Sequence, residues 1–110
     1  MFTVKESLFK TNISDYTWDE ENRIFISFKF TIDIDFSGYD NVTFILPMGM
    51  SNIKCGNNCS FYTDHLCTFK TGDNCTFNVY DRCNFHVGDN CVFNLIGNTN
   101  NRLYYENGIK

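Results

Sequence analysis

Residues 72–93 read GDNCTFNVYDRCNFHVGDNCVF: a cysteine is followed two positions later by a phenylalanine, and the pair returns every eight residues. Aligned on cysteine, the octads are Asn57-Asn58-Cys59-Ser60-Phe61, His65-Leu66-Cys67-Thr68-Phe69, Asp73-Asn74-Cys75-Thr76-Phe77, Asp81-Arg82-Cys83-Asn84-Phe85 and Asp89-Asn90-Cys91-Val92-Phe93. Two residues beyond each Phe stand Thr63, Thr71, Val79, Val87 and Leu95. Cysteine, phenylalanine and this third position therefore share one side of an extended strand. The next residue is Asp64, Gly72, Tyr80, Gly88 or Ile96, and there the chain turns.

Eight extended residues cannot enclose a packed interior, because a strand advances only about 3.3 Å per residue and facing sheets stand about 10 Å apart. Each octad is one strand and one corner. Two octads per coil give a flattened solenoid, with Cys59, Cys75 and Cys91 on one inner wall and Cys67 and Cys83 on the other; three give a triangular one. The repeat leaves both open. In either, a small thiol beside a large ring fills a narrow interior by stacking on its own kind from coil to coil. The fold class expected is all-β: a short β-solenoid of octapeptide repeats with an N-terminal β-strand cap.

Tyr39-Asp40-Asn41-Val42-Thr43-Phe44-Ile45-Leu46 is a weaker copy with Val in the cysteine place, and Ile34-Asp35-Phe36 lies one octad before it. Residues 47–54 break the register, since Val42 and Cys59 are seventeen apart, and a loop or bulge is expected there. Upstream, Arg23–Phe36 (RIFISFKFTIDIDF) alternates as one long strand, with Ile24, Ile26, Phe28, Phe30, Ile32, Ile34 and Phe36 on one side and Phe25, Ser27, Lys29, Thr31, Asp33 and Asp35 on the other. With shorter strands before it, it would cover the first coil, because an open solenoid end exposes core and strand edge. A single domain over 1–110 is expected: a cap over 1–38, the solenoid over 39–95, and 96–110 as a second cap or a dimer tail carrying Leu103, Tyr104, Tyr105 and Ile109.

The net charge of −4 lies entirely in residues 1–40, and no run of Lys or Arg exists to neutralise phosphates, so no direct nucleic-acid binding is expected. No signal-like start and no long apolar span points to a membrane, which places the chain in the cytoplasm with its six cysteines reduced. A zinc site would have only Cys55, Cys59, His65 and Cys67 to draw on, and evenly spaced inward thiols stack in rows rather than converge on a tetrahedron. Asp73, Asp81 and Asp89 read as turn formers bonding their own backbone rather than calcium ligands. The outward rows are not uniform enough to match an ice lattice. No cofactor, no metal and no catalytic group is expected, there being no P-loop, GxSxG or HExxH motif.

The octads resemble the TG(D/N)NCTFN units that run in tandem in phage and bacterial proteins of largely unassigned function. The resemblance covers residues 56–95, about a third of the chain. It implies architecture, with His65, Tyr80 and Arg82 departing from the usual turn residues. By analogy, it points to a non-catalytic protein-binding module, phage-encoded, that blocks a host defence or restriction enzyme. The contact residues expected are Tyr62, Lys70, Tyr80, Arg82 and His86, together with the acidic group Asp19, Glu20, Glu21, Asp33 and Asp35. The alternatives are a structural or virion-associated subunit, a DNA-mimicking inhibitor using those acids, and homodimerisation.

Overall fold

The structure, a computed structural model, describes residues 1–96 and the backbone of residues 102–105. It is a β-solenoid of about four turns with no helix among the described residues. Strands β1 (Thr3–Glu6), β4 (Ile32–Phe36), β6 (Asn52–Cys55), β8 (Thr68–Lys70), β10 (Asn84–Val87) and β12 (Arg102–Tyr105) form one six-stranded sheet, here sheet A. Strands β2 (Thr17–Asp19), β3 (Ile24–Ile26), β5 (Thr43–Leu46), β7 (Ser60–Thr63), β9 (Thr76–Val79) and β11 (Val92–Leu95) form sheet B. From β3 onward the chain alternates between the sheets and every rung is parallel, so one coil takes two octads. The coil is two-sided: Phe61 pairs with Phe77 in sheet B and Phe85 with Phe69 in sheet A, each sixteen residues apart.

The two sheets meet through aromatic rings. In sheet B, Phe44, Phe61, Phe77 and Phe93 stack with centroids 4.8–5.1 Å apart and interplanar angles of 2–7°. Phe69 and Phe85 of sheet A stack likewise at 5.2 Å, and each meets the sheet B rings edge to face. This herringbone gives every ring both offset stacking and edge contact, the two arrangements that the ring quadrupole favours.

The cysteine position is a peg at the corner. Cys59, Cys75 and Cys83 each donate S–H to the carbonyl two residues back and to a corner carbonyl of the preceding coil, at 3.6–3.7 Å. Ser51 does the same in shorter form, its hydroxyl donating to the Gly49 carbonyl at 3.1 Å. Thiol and hydroxyl both add a hydrogen bond here, while Val42 and Ile32 fill the same place by packing alone.

Residues 47–54 thus hide an octad instead of only a loop. Ser51 takes the cysteine place, Ile53 the phenylalanine place opposite Phe69, and Cys55 the third position opposite Phe36. The extra residue sits in the turn over residues 47–50. The upstream register is corrected by two residues as well: Ile34 pairs with Ile53, so Ile34 rather than Phe36 stands in the ring place.

The long strand expected over Arg23–Phe36 is two strands in different sheets. β3 turns Phe25 and Ser27 inward, a corner follows, and β4 turns Ile32, Ile34 and Phe36 inward. Phe28 and Phe30, which the alternation puts on one side with Ile32 and Ile34, lie on that corner at 72% and 54% exposure. At the first coil, β1 and β2 add antiparallel strands to the two sheets. Phe2 stacks on Phe36 at 4.2 Å and meets Tyr16, Trp18, Phe25 and Tyr39 edge on. At the other end β12 pairs with β10, while the expectation that Leu103, Tyr104, Tyr105 and Ile109 cover this end or a second copy lies outside the described side chains.

Candidate docking edge

A flattened coil has two edges, and they differ. One carries the turns from sheet A to sheet B, before β5, β7, β9 and β11. The other carries the turns from sheet B to sheet A, before β4, β6, β8 and β10. At both, the residue just before the inward peg adopts a left-handed backbone with φ between 56° and 60°.

On the first edge that residue is always asparagine: Asn41, Asn58, Asn74 and Asn90. Asparagine tolerates this conformation better than any residue but glycine. Side chains also tie successive coils here. Asp40 Oδ1 accepts from the Asn57 N–H, Asn57 Oδ1 from the Asp73 N–H, and Asp73 Oδ1 from the Asp89 N–H, all at 2.7–2.8 Å. A side-chain oxygen crosses directly over the next coil, so a Cβ at Gly72 or Gly88 would stand 2.0 Å from it. The Gly-Asx-Asn-Cys corner is thereby explained. It also corrects the expected role of the aspartates: Asp73 bonds the next coil rather than its own backbone, and Asp81 belongs to the opposite edge.

On the second edge the left-handed residues are Thr31, Met50, Leu66 and Arg82, none suited to it. Among the described residues no ladder of side-chain oxygens joins these corners; Asp64 pairs with its neighbour His65 at 3.5 Å, and Asp81 with Arg82 at 3.6 Å. This edge also collects apolar side chains. Phe28, Phe30, Met48, Met50, Leu66, Tyr80 and Ile96 are all exposed on it. Exposed Leu8 and Phe9 lie near its first corner, since the Ser7 N–H donates to the Thr31 carbonyl. Round its shoulder, Tyr62 and Tyr80 line a concavity of about 380 Å³ with Pro47, Asn78 and Ile96.

The structure divides the expected contact residues among three places. Tyr62, Tyr80 and Arg82 stand on or beside the second edge. Lys70 and His86 are opposite one another on the outer side of sheet A. The acids fall apart: Asp19, Glu20 and Glu21 form the β2–β3 turn, whereas Asp33 and Asp35 stand on β4. Most are already engaged. Asp19 accepts from Asn22, Glu20 pairs with Arg23, Asp33 is held by Ser7, Lys10 and Asn52, and Asp35 by Ser37. The hydrogen bonds from the Asn22 side chain and backbone hold Asp19 below the usual carboxylate range. For Asp33, burial pushes upward but the bonds from Asn52, Lys10 and Ser7 outweigh it and lower its pKa. Sequence reasoning missed Phe28, Phe30, Met48, Met50 and Leu66; counting back one residue from each peg would have brought Met50 and Leu66 to notice.

The thiols are placed to pack. Cys55 and Cys59 stand at the first edge, and His65 and Cys67 at the second, so that tetrad is split across the coil. Among the described residues no group of three His, Cys, Asp or Glu side chains stands close enough to hold a metal. Contact with the Cys67 thiol, then burial, pushes the Cys83 thiol up; the Cys75 thiol and burial do the same to Cys91. The charges that act on these two are carboxylates, Asp81 and Asp73, which also disfavour a thiolate. All six cysteines are free.

No family model matches the chain, and neither does any curated protein or solved structure.

Proposed function

We propose that this chain is a non-catalytic protein-binding module that docks a partner along the second edge. One observation carries the reading: at the same backbone position one edge holds asparagine four times over, while the other holds Thr31, Met50, Leu66 and Arg82 in a conformation that disfavours them. A left-handed non-glycine residue costs on the order of 1 kcal/mol, and strain of this kind collects at functional sites. What is kept there is an exposed apolar stripe on a rigid scaffold, with Tyr80 and Arg82 among the residue types that anchor interfaces.

The resemblance to phage repeat proteins supports the finer reading, a host defence or restriction enzyme blocked by occupation of its surface. Six free cysteines suit a reducing cytoplasm, and no helix among the described residues is long and apolar enough to cross a membrane. The test is capture by the tagged chain from its native host cells, run beside a Leu66→Asp/Tyr80→Ala variant and an Asn90→Asp control on the first edge. A specific partner retained by wild type and control but lost by the edge variant supports the reading. Equal capture by all three overturns it.

A further inference from the structure

The outer side of sheet A has a composition unlike the rest of the molecule. Four of the six lysines are here: Lys5 on β1, Lys54 on β6, Lys70 on β8, and Lys10, which reaches the face through Asp33. Among the described residues only Asp33 and Asp35 stand against them, so an acidic chain carries one net-positive face. The outer side of sheet B carries Ile24, Ile26, Thr43, Ile45, Ser60, Tyr62, Thr76, Asn78, Val92 and Asn94 from β3 to β11, and among the described residues its one charged side chain is Asp19 on β2, opposite Ile24.

Within the positive face two lysines and a histidine follow one another. Lys54 stands directly opposite Lys70, and Lys70 directly opposite His86, on neighbouring parallel strands about 4.8 Å apart. Like charges in facing positions destabilise a sheet; Asp35 stands opposite Lys54 on its other side and feels its charge, yet no ion pair within 4 Å forms there, and Lys70 has no carboxylate opposite it among the described residues. Thr68, Asn52 and Asn84 fill the parallel row and add hydrogen-bonding groups. Beside the row, Cys55, Lys70, Thr71, Gly72 and His86 line a concavity of about 450 Å³.

We infer that this face seats an acidic polypeptide segment lying along the stacking direction, its carboxylates over Lys54, Lys70 and His86. The strip's flanks select that class of ligand. Asp40, Asp73 and Asp89 stand along one edge of the coil, and Asp64 and Asp81 along the other. The strip between them is one short strand wide, about 10 Å for three residues. A duplex, about 20 Å across, would bring its phosphates onto those acids, whereas a single extended peptide fits between them. Among the described side chains, lysine and histidine line the strip, rather than the bidentate forks of arginine that favour phosphate. This rests on the charge ladder and stands apart from the apolar edge.

The test is calorimetric titration of the full chain with hexaglutamate at about 20 mM salt, with tripolyphosphate and a short DNA duplex as parallel ligands. Saturable hexaglutamate binding is expected, weakening about tenfold or more by about 200 mM salt. Lys54→Gln/Lys70→Gln should lose about tenfold or more of that affinity without losing thermal stability, because it removes the two facing positive charges. Lys29→Glu, on a lysine already paired with Asp15, should leave it unchanged. No saturable binding, equal binding by the double variant, or tighter binding of duplex or polyphosphate than of hexaglutamate would each overturn the inference. The Leu66→Asp/Tyr80→Ala variant should bind hexaglutamate as wild type does, which separates this surface from the docking edge.

Discussion

The two edges of the coil are built on one backbone path and one core, yet they solve the corner differently. On the first, Gly72, Asp73 and Asn74 each answer a structural demand: room for the oxygen of Asn57, a bond to the coil above, and a left-handed turn. On the second, Tyr80, Asp81 and Arg82 occupy the same three places and answer none of them in the same way. An edge chosen only for stability would repeat the first solution. Departure from it in every coil is the observation on which the proposed docking role rests.

Both edges rest on the ring stack, so the largest effect lies beneath them. Phe77 is fully buried between Phe61, Phe69, Phe85 and Phe93, and Phe77→Ala should destabilise the chain by about 3–5 kcal/mol in urea unfolding. A loss under about 1 kcal/mol would mean that the rings do not hold the two sheets together.

The edges themselves are compared at equivalent positions. Gly72→Ala pushes a Cβ against Asn57 Oδ1 and breaks its bond to the Asp73 N–H, which should cost about 1–3 kcal/mol. Tyr80→Ala, at the matching place on the other edge, should change stability by less than about 0.5 kcal/mol. Equal losses would erase the distinction. In the opposite direction, Arg82→Asn puts the favoured residue at a strained corner and should raise stability by about 0.5–1 kcal/mol, read from the same urea transitions.

The smallest effect is a slope. The folded pKa of Asp33 is lowered relative to about 3.9 in an unfolded chain, so it contributes stability above that pH and loses it as pH falls through the folded value. Asp33→Asn should therefore flatten the decline of stability with pH below about 4, measured by thermal unfolding across the acid range.

The solenoid was legible from residue 59 onward because cysteine and phenylalanine return without a gap. Upstream the same fold is written in other letters. Ser51 and Ile53 replace Cys and Phe, and an added residue before them shifts the count. The alternation of residues 23–36 continues across a corner that reverses which side faces inward, so a pattern of period two put Phe28 and Phe30 on the wrong side. Of the docking edge, Tyr62, Tyr80 and Arg82 were visible as irregular outward residues. Its apolar stripe was not, since Met48, Met50 and Leu66 come together only when coils stack. Lys70 and His86 were seen singly, but the ladder with Lys54 requires the register that places Ser51 in the repeat.

A second edge rewritten in the first edge's residues bears most directly on the account. Met50→Asn, Leu66→Asn and Arg82→Asn together give its corners the asparagines found opposite, and the quantity to measure is the partner that this tagged variant retains relative to wild type, at a temperature where both are folded. The account predicts a chain that melts no lower than wild type and retains little or no partner. Undiminished capture by that variant would contradict it.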